Sequence, residues 1–366
     1  MIMFKLKPFD VLYFGSGKTL SVATSVKSIF PPYPHTIAGA ICSKIHKKTG
    51  IDVSQILKYI YGPFLFNEAE NQIYFSIPAD IYKVRKSEKL EKIFFIEPLW
   101  NFLKLFNPEN TNKPIYVNTL AVYKGSNEIE PIDNGLISKN GLKYWLEGKK
   151  TEIENKDIKT FENVFEYENR IGIKQKIETH TVAGEDSVFR ISFLRLKDNW
   201  AFIVLVKFNY ENEELQKANL DNDEKMLDFF NDEINILKLG GEMKNVYYKV
   251  EKVGDIKDIF HFEKPNLSQG DKIKLLFLTP GVFEGDILKI KGLKVLTIIL
   301  HNYVNLGLSS PCFLRKYNFI KRAYPPGSVI YAEVEDKDEV KKLWLNPSDG
   351  SNNFIGSNLI IYTKTE

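Results

Sequence analysis

Apolar and polar residues alternate at the start of the chain, where Phe4 and Leu6 interleave with Lys5 and Lys7. This two-residue period predicts a first strand over Met1 to Pro8. The period changes after a proline-rich arm. Pro31, Pro32 and Pro34 bias Phe30 and Tyr33 toward extended backbone, and Ile37, Ile41 and Ile45 then recur at a four-residue spacing that suits the buried stripe of a helix. Thr36 is the expected N-cap, Lys47 and Lys48 suit the last turn, and Gly50 ends it. Asp52 with Gln55 predicts a capping box opening a short helix through Tyr61, closed by Gly62-Pro63.

Further on, short apolar runs predict strands at 73–77, 93–96, 245–252, 274–279, 293–300, 329–334 and 359–362. Arg170 to Ile173 begins another, which breaks into a polar loop at 174–186. The strong runs 188–196 and 199–208 flank Lys197-Asp198 and predict a tight hairpin. An acidic linker, 211–224, leads into a helix bearing Met226, Leu227, Phe230 and Ile234 that is expected to end at Leu239-Gly-Gly-Glu242. Residues 336–345 give a late helix. The polar stretch 107–159 reads as a partly mobile insertion with a small helix near 142–146. Short strands, a few helices and antiparallel hairpins indicate an α+β fold.

At 366 residues the chain suggests two domains, or one with large insertions. Its net charge of +3 creates no global field for a polyanion, so nucleic-acid binding would need local patches. Two cysteines, Cys42 and Cys312, are too few for a disulfide framework or a cysteine-rich zinc site, and Cys42 on the first helix reads as a buried small hydrophobe. The first residues read as a strand rather than a signal peptide, and the longest apolar runs fall short of a membrane span. A cytoplasmic protein with no membrane partner is expected.

Gly15-Ser-Gly-Lys-Thr19 has Leu12 where a phosphate loop needs its first glycine, which leaves Lys18 as a candidate phosphate contact only. Histidines 35, 46, 180, 261 and 301 show no metal-ligand spacing. His46 reads as a surface or boundary residue. His35 and His180, each in a flexible or exposed segment near a glycine, could hydrogen-bond or stack on a ligand, or one of them could serve a metal-free ribonuclease as general base or acid. Asp221, Asp223, Glu224 and Asp228 read as a solvated face. Gly240 and Gly241, followed by Lys244, would let another backbone or a phosphodiester approach closely. Arg170, Lys174, Lys176, Arg190 and Arg195 form one basic group. Arg315, Lys316, Lys321 and Arg322 form another, interleaved with Phe313, Tyr317, Phe319 and Tyr324, a mixture that suits single-stranded RNA.

Seven segments taken in order resemble one family over nearly the whole chain. They are Asp10 with Phe14-Gly15, the Phe30 to Ile41 run, Arg170-Ile-Gly-Ile173, Phe189-Arg190 with Phe193-Leu-Arg-Leu196, Leu239-Gly-Gly-Glu242, Thr279-Pro280 with Phe283 and Gly285, and Pro325-Pro-Gly-Ser-Val329. The family is the RAMP-fold subunit of the type III-B (Cmr) CRISPR effector complex that holds the 5′ end of the CRISPR RNA. Departures include His35 where serine is more usual, Pro326 in place of alanine, and Ser310-Pro-Cys-Phe313 where a Gly-Trp-Asp run is common. The resemblance implies two modified ferredoxin-like (RRM/RAMP) domains, set at 1–208, with an insertion near 107–160, and 209–366. It implies no catalysis and no cofactor or metal. Its partners would be the 5′ handle of the guide RNA, the large polymerase/cyclase-like subunit and a backbone RAMP subunit. The expected RNA contacts are Lys18, Tyr33, His35, Arg170, Lys174, Lys176, His180, Arg190, Arg195, Gly240, Gly241, Lys244, Arg315, Lys316 and Arg322. The alternatives are a metal-free RAMP endoribonuclease that trims precursor RNA and an assembly scaffold that touches none.

Overall fold

The computed structural model describes residues 1–15, 25–85, 92–98, 121–173, 178–179, 181–182, 188–231, 234–282, 290–307, 320–349 and 354–365. Its first strands are β1 (Ile2–Pro8), β2 (Ser25–Lys27), β3 (Leu57–Asn67) and β4 (Gln72–Ser76). Five short ones follow: β5 (Ile81–Val84), β6 (Ile93–Phe95), β7 (Glu97–Pro98), β8 (Ala121–Val122) and β9 (Ile129–Pro131). Next come β10 (Gly135–Ser138), β11 (Ile158–Thr160), β12 (Phe165–Ile173), β13 (Val188–Leu196), β14 (Trp200–Phe208), β15 (Ile236–Lys238) and β16 (Asn245–Lys252). The last are β17 (Lys272–Phe277), β18 (Leu293–Ile299), β19 (Val304–Gly307), β20 (Ile320–Ala323), β21 (Val329–Val334) and β22 (Ile360–Lys364). The longer helices are α1 (Pro34–Thr49), α2 (Lys139–Leu146), α3 (Asp223–Phe230) and α4 (Lys337–Leu343).

Eight strands form the main sheet in the order β11-β10-β4-β3-β14-β1-β16-β15, and every neighbouring pair is antiparallel. Within it β1, α1, β3, β14, α3 and β16 follow one another along the chain, and their strands lie second-third-first-fourth. A four-stranded antiparallel sheet, β18-β21-β17-β22, repeats that order, with α4 between its third and fourth strands. The fold is thus α+β. β16 pairs with β1 from Pro8↔Val246 to Ile2↔Lys252, so the main sheet draws strands from both sides of residue 208. Part of the expected insertion also belongs to this sheet, since β10 and β11 extend it beyond β4 and Trp145 of α2 is fully buried.

The main sheet is covered on both faces. Phe202, Val204 and Val206 of β14 pack with Ile41 of α1 and Phe230 of α3, while Ile203 and Leu205 pack with Leu275 and Ile330 of the second sheet. Two-sided burial explains why 201–206 is a continuous apolar run rather than an alternation. A buried polar group crosses this sheet-sheet interface. Asp80 accepts hydrogen bonds from Trp145 Nε1 (2.9 Å) and from the Tyr331 hydroxyl (3.1 Å), and the Lys274 ammonium lies 3.9 Å from its carboxylate. The ammonium also sits 3.8 Å from the centre of the Trp145 ring.

Local expectations fail where tertiary pairing takes over. α1 starts at Pro34, with Tyr33 rather than Thr36 in the N-cap position; proline fits the first helical site because its missing N–H has no partner there. Gly50 closes it at φ 74°. Residues 52–61 are not a helix. Asp52 accepts from the Ser54 amide (2.9 Å), Gln55 takes φ 58°, and Leu57 onward joins β3 against β14. Lys197-Asp198 does not close a hairpin, because β14 pairs with β1 and β3 whereas β13 pairs with β12 and, in parallel, with β2. α3 stops at Phe230 rather than at Leu239. Ile234 keeps the helical spacing yet is 66% exposed, and residues 236–238 are drawn into the sheet edge as β15. The only cysteine among the described residues, Cys42, is buried on α1.

Candidate nucleic-acid interface

The segment between β1 and the arm carries Asp10 to Phe14 across the end of the main sheet. Leu12 exchanges backbone hydrogen bonds with Leu194 of β13 (2.8 Å each way), and the Tyr13 carbonyl accepts from the Gly241 amide (2.8 Å). A Cβ on Gly240, whose φ is +80°, would meet that carbonyl at 2.4 Å. The glycine pair therefore admits a neighbouring backbone, one of the two purposes its spacing suggested.

Four charged side chains meet beside this crossing. The Arg170 guanidinium donates to Glu168 (2.7 Å) and Asp10 (3.0 Å), and Arg195 donates to Glu168 (2.8 Å) and Asp10 (2.6 Å). Hydrogen bonds from Arg170 and then Arg195 hold the Asp10 carboxyl below the usual range, and those from Arg195 and then Arg170 do the same for Glu168. Arg170 lies 5.2 Å from the Phe193 ring centre and Lys244 4.9 Å, with Tyr13 edge-on to the same ring. Sequence reasoning found the arginines, the lysine and the glycines. It did not assign Asp10 and Glu168 as their partners, since only the β12–β13 register and the crossing of the segment after β1 to β13 bring those carboxylates to them. Arg190 is exposed on β13.

The proline arm makes a second locus. Tyr33 is half-buried, its hydroxyl donates to the Asn305 carbonyl (3.2 Å), and burial pushes its pKa up to about 12. His35 is not at the surface: it is 4% exposed, stacked on Tyr33 and edge-on to Phe354, with Nε2 3.2 Å from the Gly307 carbonyl. Its Nδ1 is buried without a hydrogen-bond partner. Burial drives its pKa down to about 4, against a smaller opposing effect from the Gly307 carbonyl. Burial therefore favours the neutral ring at pH 7, with Nε2 donating to the Gly307 carbonyl. The exposed or flexible setting expected for it is corrected accordingly. Because the unfolded chain binds this proton near pH 6.5 and the folded chain only near 4, stability is expected to fall as pH drops from 6.5 to 4 and to level off below. The contribution at stake is roughly 3 kcal/mol. Chemical denaturation of the parent and of His35→Gln at pH 4.5 and 7.5 would check it; an equal pH dependence in both proteins would refute it.

Next to the arm lies a cavity of about 270 Å³, walled by Phe30, Pro32, Pro63, Phe64, Pro280 and Pro326, among others. Arg322 stands outside it, exposed, 5.8 Å from the Tyr303 ring centre. Lys18, Lys174, Lys176, His180, Arg315 and Lys316 lie outside the described residues. His46 is exposed and its Nδ1 donates to the Ile51 carbonyl (2.8 Å). Acidic residues at the start of α3 are held by neighbours: Asp223 accepts from the Tyr210 hydroxyl, and Asp221 pairs with Lys225 at 2.9 Å. No group of three His, Cys, Asp or Glu among the described residues could hold a metal, and no described helix is long and apolar enough to cross a membrane.

A family model of the CRISPR-associated protein Cas_Cmr3 matches residues 4–365. The chain belongs to that family. The Cmr resemblance read from the seven segments is borne out at this level, which makes the chain a RAMP-type subunit of the type III-B effector class. Among solved structures, a chain of the type III-B Cmr-beta complex bound to cognate target RNA and AMPPnP is 16% identical over 90% of this chain and 86% of that one, with a TM-score of 0.49. A chain of the Csm3-Csm4 subcomplex of the type III-A interference complex is 15% identical over 92% and 97%, with a TM-score of 0.35. No curated protein matches.

In this Cas_Cmr3 member the scattered segments sort into two places. Asp10, Arg170, the Phe193 run and Gly240-Gly241 gather at the quartet of two arginines and two carboxylates. The arm, Pro280 and Pro325-Pro326 gather at the cavity.

Proposed function

We propose that this Cas_Cmr3 protein is a non-catalytic RNA-binding subunit that holds the 5′ handle of the guide RNA in a type III-B effector complex. The observation that carries the reading is Arg170 and Lys244 over the Phe193 ring, with Arg195 tied to Arg170 through Asp10 and Glu168, at a place where four of the family-like segments meet. Cations beside aromatic faces suit single-stranded RNA, whose phosphates and bases need both. The two sheets of order second-third-first-fourth support two modified ferredoxin-like units. Docking to the large polymerase/cyclase-like subunit and to a backbone RAMP subunit, in the cytoplasm, completes the proposal. A buried, neutral His35 weighs against a nuclease that would rely on it.

The scaffold reading draws on one feature, the pairing of both arginines with Asp10 and Glu168, which leaves the quartet formally uncharged. One experiment separates these. Labelled guide RNA, with and without its 5′ handle, is incubated with this subunit and its large-subunit partner in magnesium-free buffer. Handle-dependent retention of intact RNA is expected. Intact RNA with no handle preference would leave the scaffold, and cleaved RNA would restore the nuclease and turn attention to His180.

A further inference from the structure

The cavity beside the arm differs in kind from the arginine quartet. None of the described residues lining it is lysine or arginine, so nothing in its walls attracts a phosphate. Its inner walls are prolines and aromatic rings. Tyr33, Ser76 and the buried Thr279 add polar atoms to the lining, and its exposed polar residues are Asp133 and Asn134, in the turn before β10, with His301 and Asn302, which lead into β19. Asp133 is close enough to His301 to act on it electrostatically. A carboxylate at the entrance repels anions and accepts hydrogen bonds from neutral donors.

We infer that this cavity receives one unstacked nucleobase of bound RNA, read at its exocyclic amine by Asp133. The inference rests on the RNA-binding reading above. Flat apolar walls suit the faces of a base, and a carboxylate at the rim suits the amine of adenine or cytosine but not the carbonyl of uracil. Sugar and phosphate stay outside, where Tyr303 is 54% exposed and Arg322 lies over its ring. The size agrees: about 270 Å³ is ample for a single nucleobase but not for a run of stacked bases.

The test uses the full chain and labelled eight-nucleotide RNAs, oligoadenylate, oligocytidylate, oligouridylate and an oligomer of purine riboside, which is adenosine without its amine. Adenylate and cytidylate are expected to bind about tenfold more tightly than uridylate, in line with one hydrogen bond to a charged acceptor. Purine riboside should behave like uridylate. In Asp133→Ala the preference should vanish, and a circular dichroism spectrum and urea midpoint matching the parent show that the variant is folded. Equal affinities in the parent, or a preference that survives Asp133→Ala, would overturn the base pocket while leaving RNA binding in place. Failure of all four oligomers to bind would instead remove the RNA reading on which it rests. Filling the mouth with Asn302→Trp should weaken adenylate binding. If it spares RNA and abolishes association with a neighbouring subunit, the cavity holds a protein side chain and the inference falls.

Discussion

Replacing Asp80 by alanine is expected to lower the unfolding free energy by about 3–5 kcal/mol, the loss typical of breaking a buried ion pair from one side. Asp80 is 1% exposed and Lys274 5%. Burial raises the carboxyl pKa and pushes the lysine down to about 8, so each ion is tolerated only because the other is there. Without the carboxylate, the Trp145 N–H and the Tyr331 hydroxyl lose their acceptor, and the ammonium is left between two sheets with only a ring face. Asp80→Asn combined with Lys274→Met removes both charges and keeps an acceptor, and it should recover much of the loss. Urea denaturation read by circular dichroism would decide. A cost below about 1 kcal/mol for Asp80→Ala would mean that water reaches this site and that the pair does not hold the sheets together.

Reversing both arginines, Arg170→Glu with Arg195→Glu, should weaken guide-RNA binding by roughly 10- to 100-fold, as expected for losing charge-assisted hydrogen bonds of about 1.5–3 kcal/mol. The plot of log affinity against log salt should flatten by about 0.7 for each phosphate that the variant no longer neutralises. The opposite pair, Asp10→Asn with Glu168→Gln, frees the guanidiniums and should tighten binding and steepen the slope. Both effects should come with little change in stability, since all four side chains are partly exposed and ion pairs open to solvent are weak. Filter binding across a salt series measures both quantities. An unchanged affinity and slope in the arginine variant would favour the scaffold.

Much of the framework was legible along the chain. β1, β13, β16 and β21 fall where alternation and β-branched runs put them, and the buried stripe of α1 with its closing Gly50 follows from spacing alone. Those features depend on neighbours in sequence, where period and propensity act directly. The helix expected at 52–61 failed because pairing with β14 overrides a weak capping signal, and the hairpin at Lys197-Asp198 failed because strand partners are chosen by burial and not by the turn.

The candidate site divides the same way. Sequence by itself determined the family, the basic and aromatic residue types, and the presence of a rigid arm ahead of a helix, because these are carried by local order and composition. Only the tertiary structure decided what those residues meet: that Asp10 and Glu168 bind both arginines, that His35 is buried and neutral, that Gly240 admits the Tyr13 backbone, and that four distant proline segments wall one cavity. Each of these joins segments tens to hundreds of residues apart. Charge state, burial and cavity shape arise from such long-range packing, and no single stretch of sequence contains them.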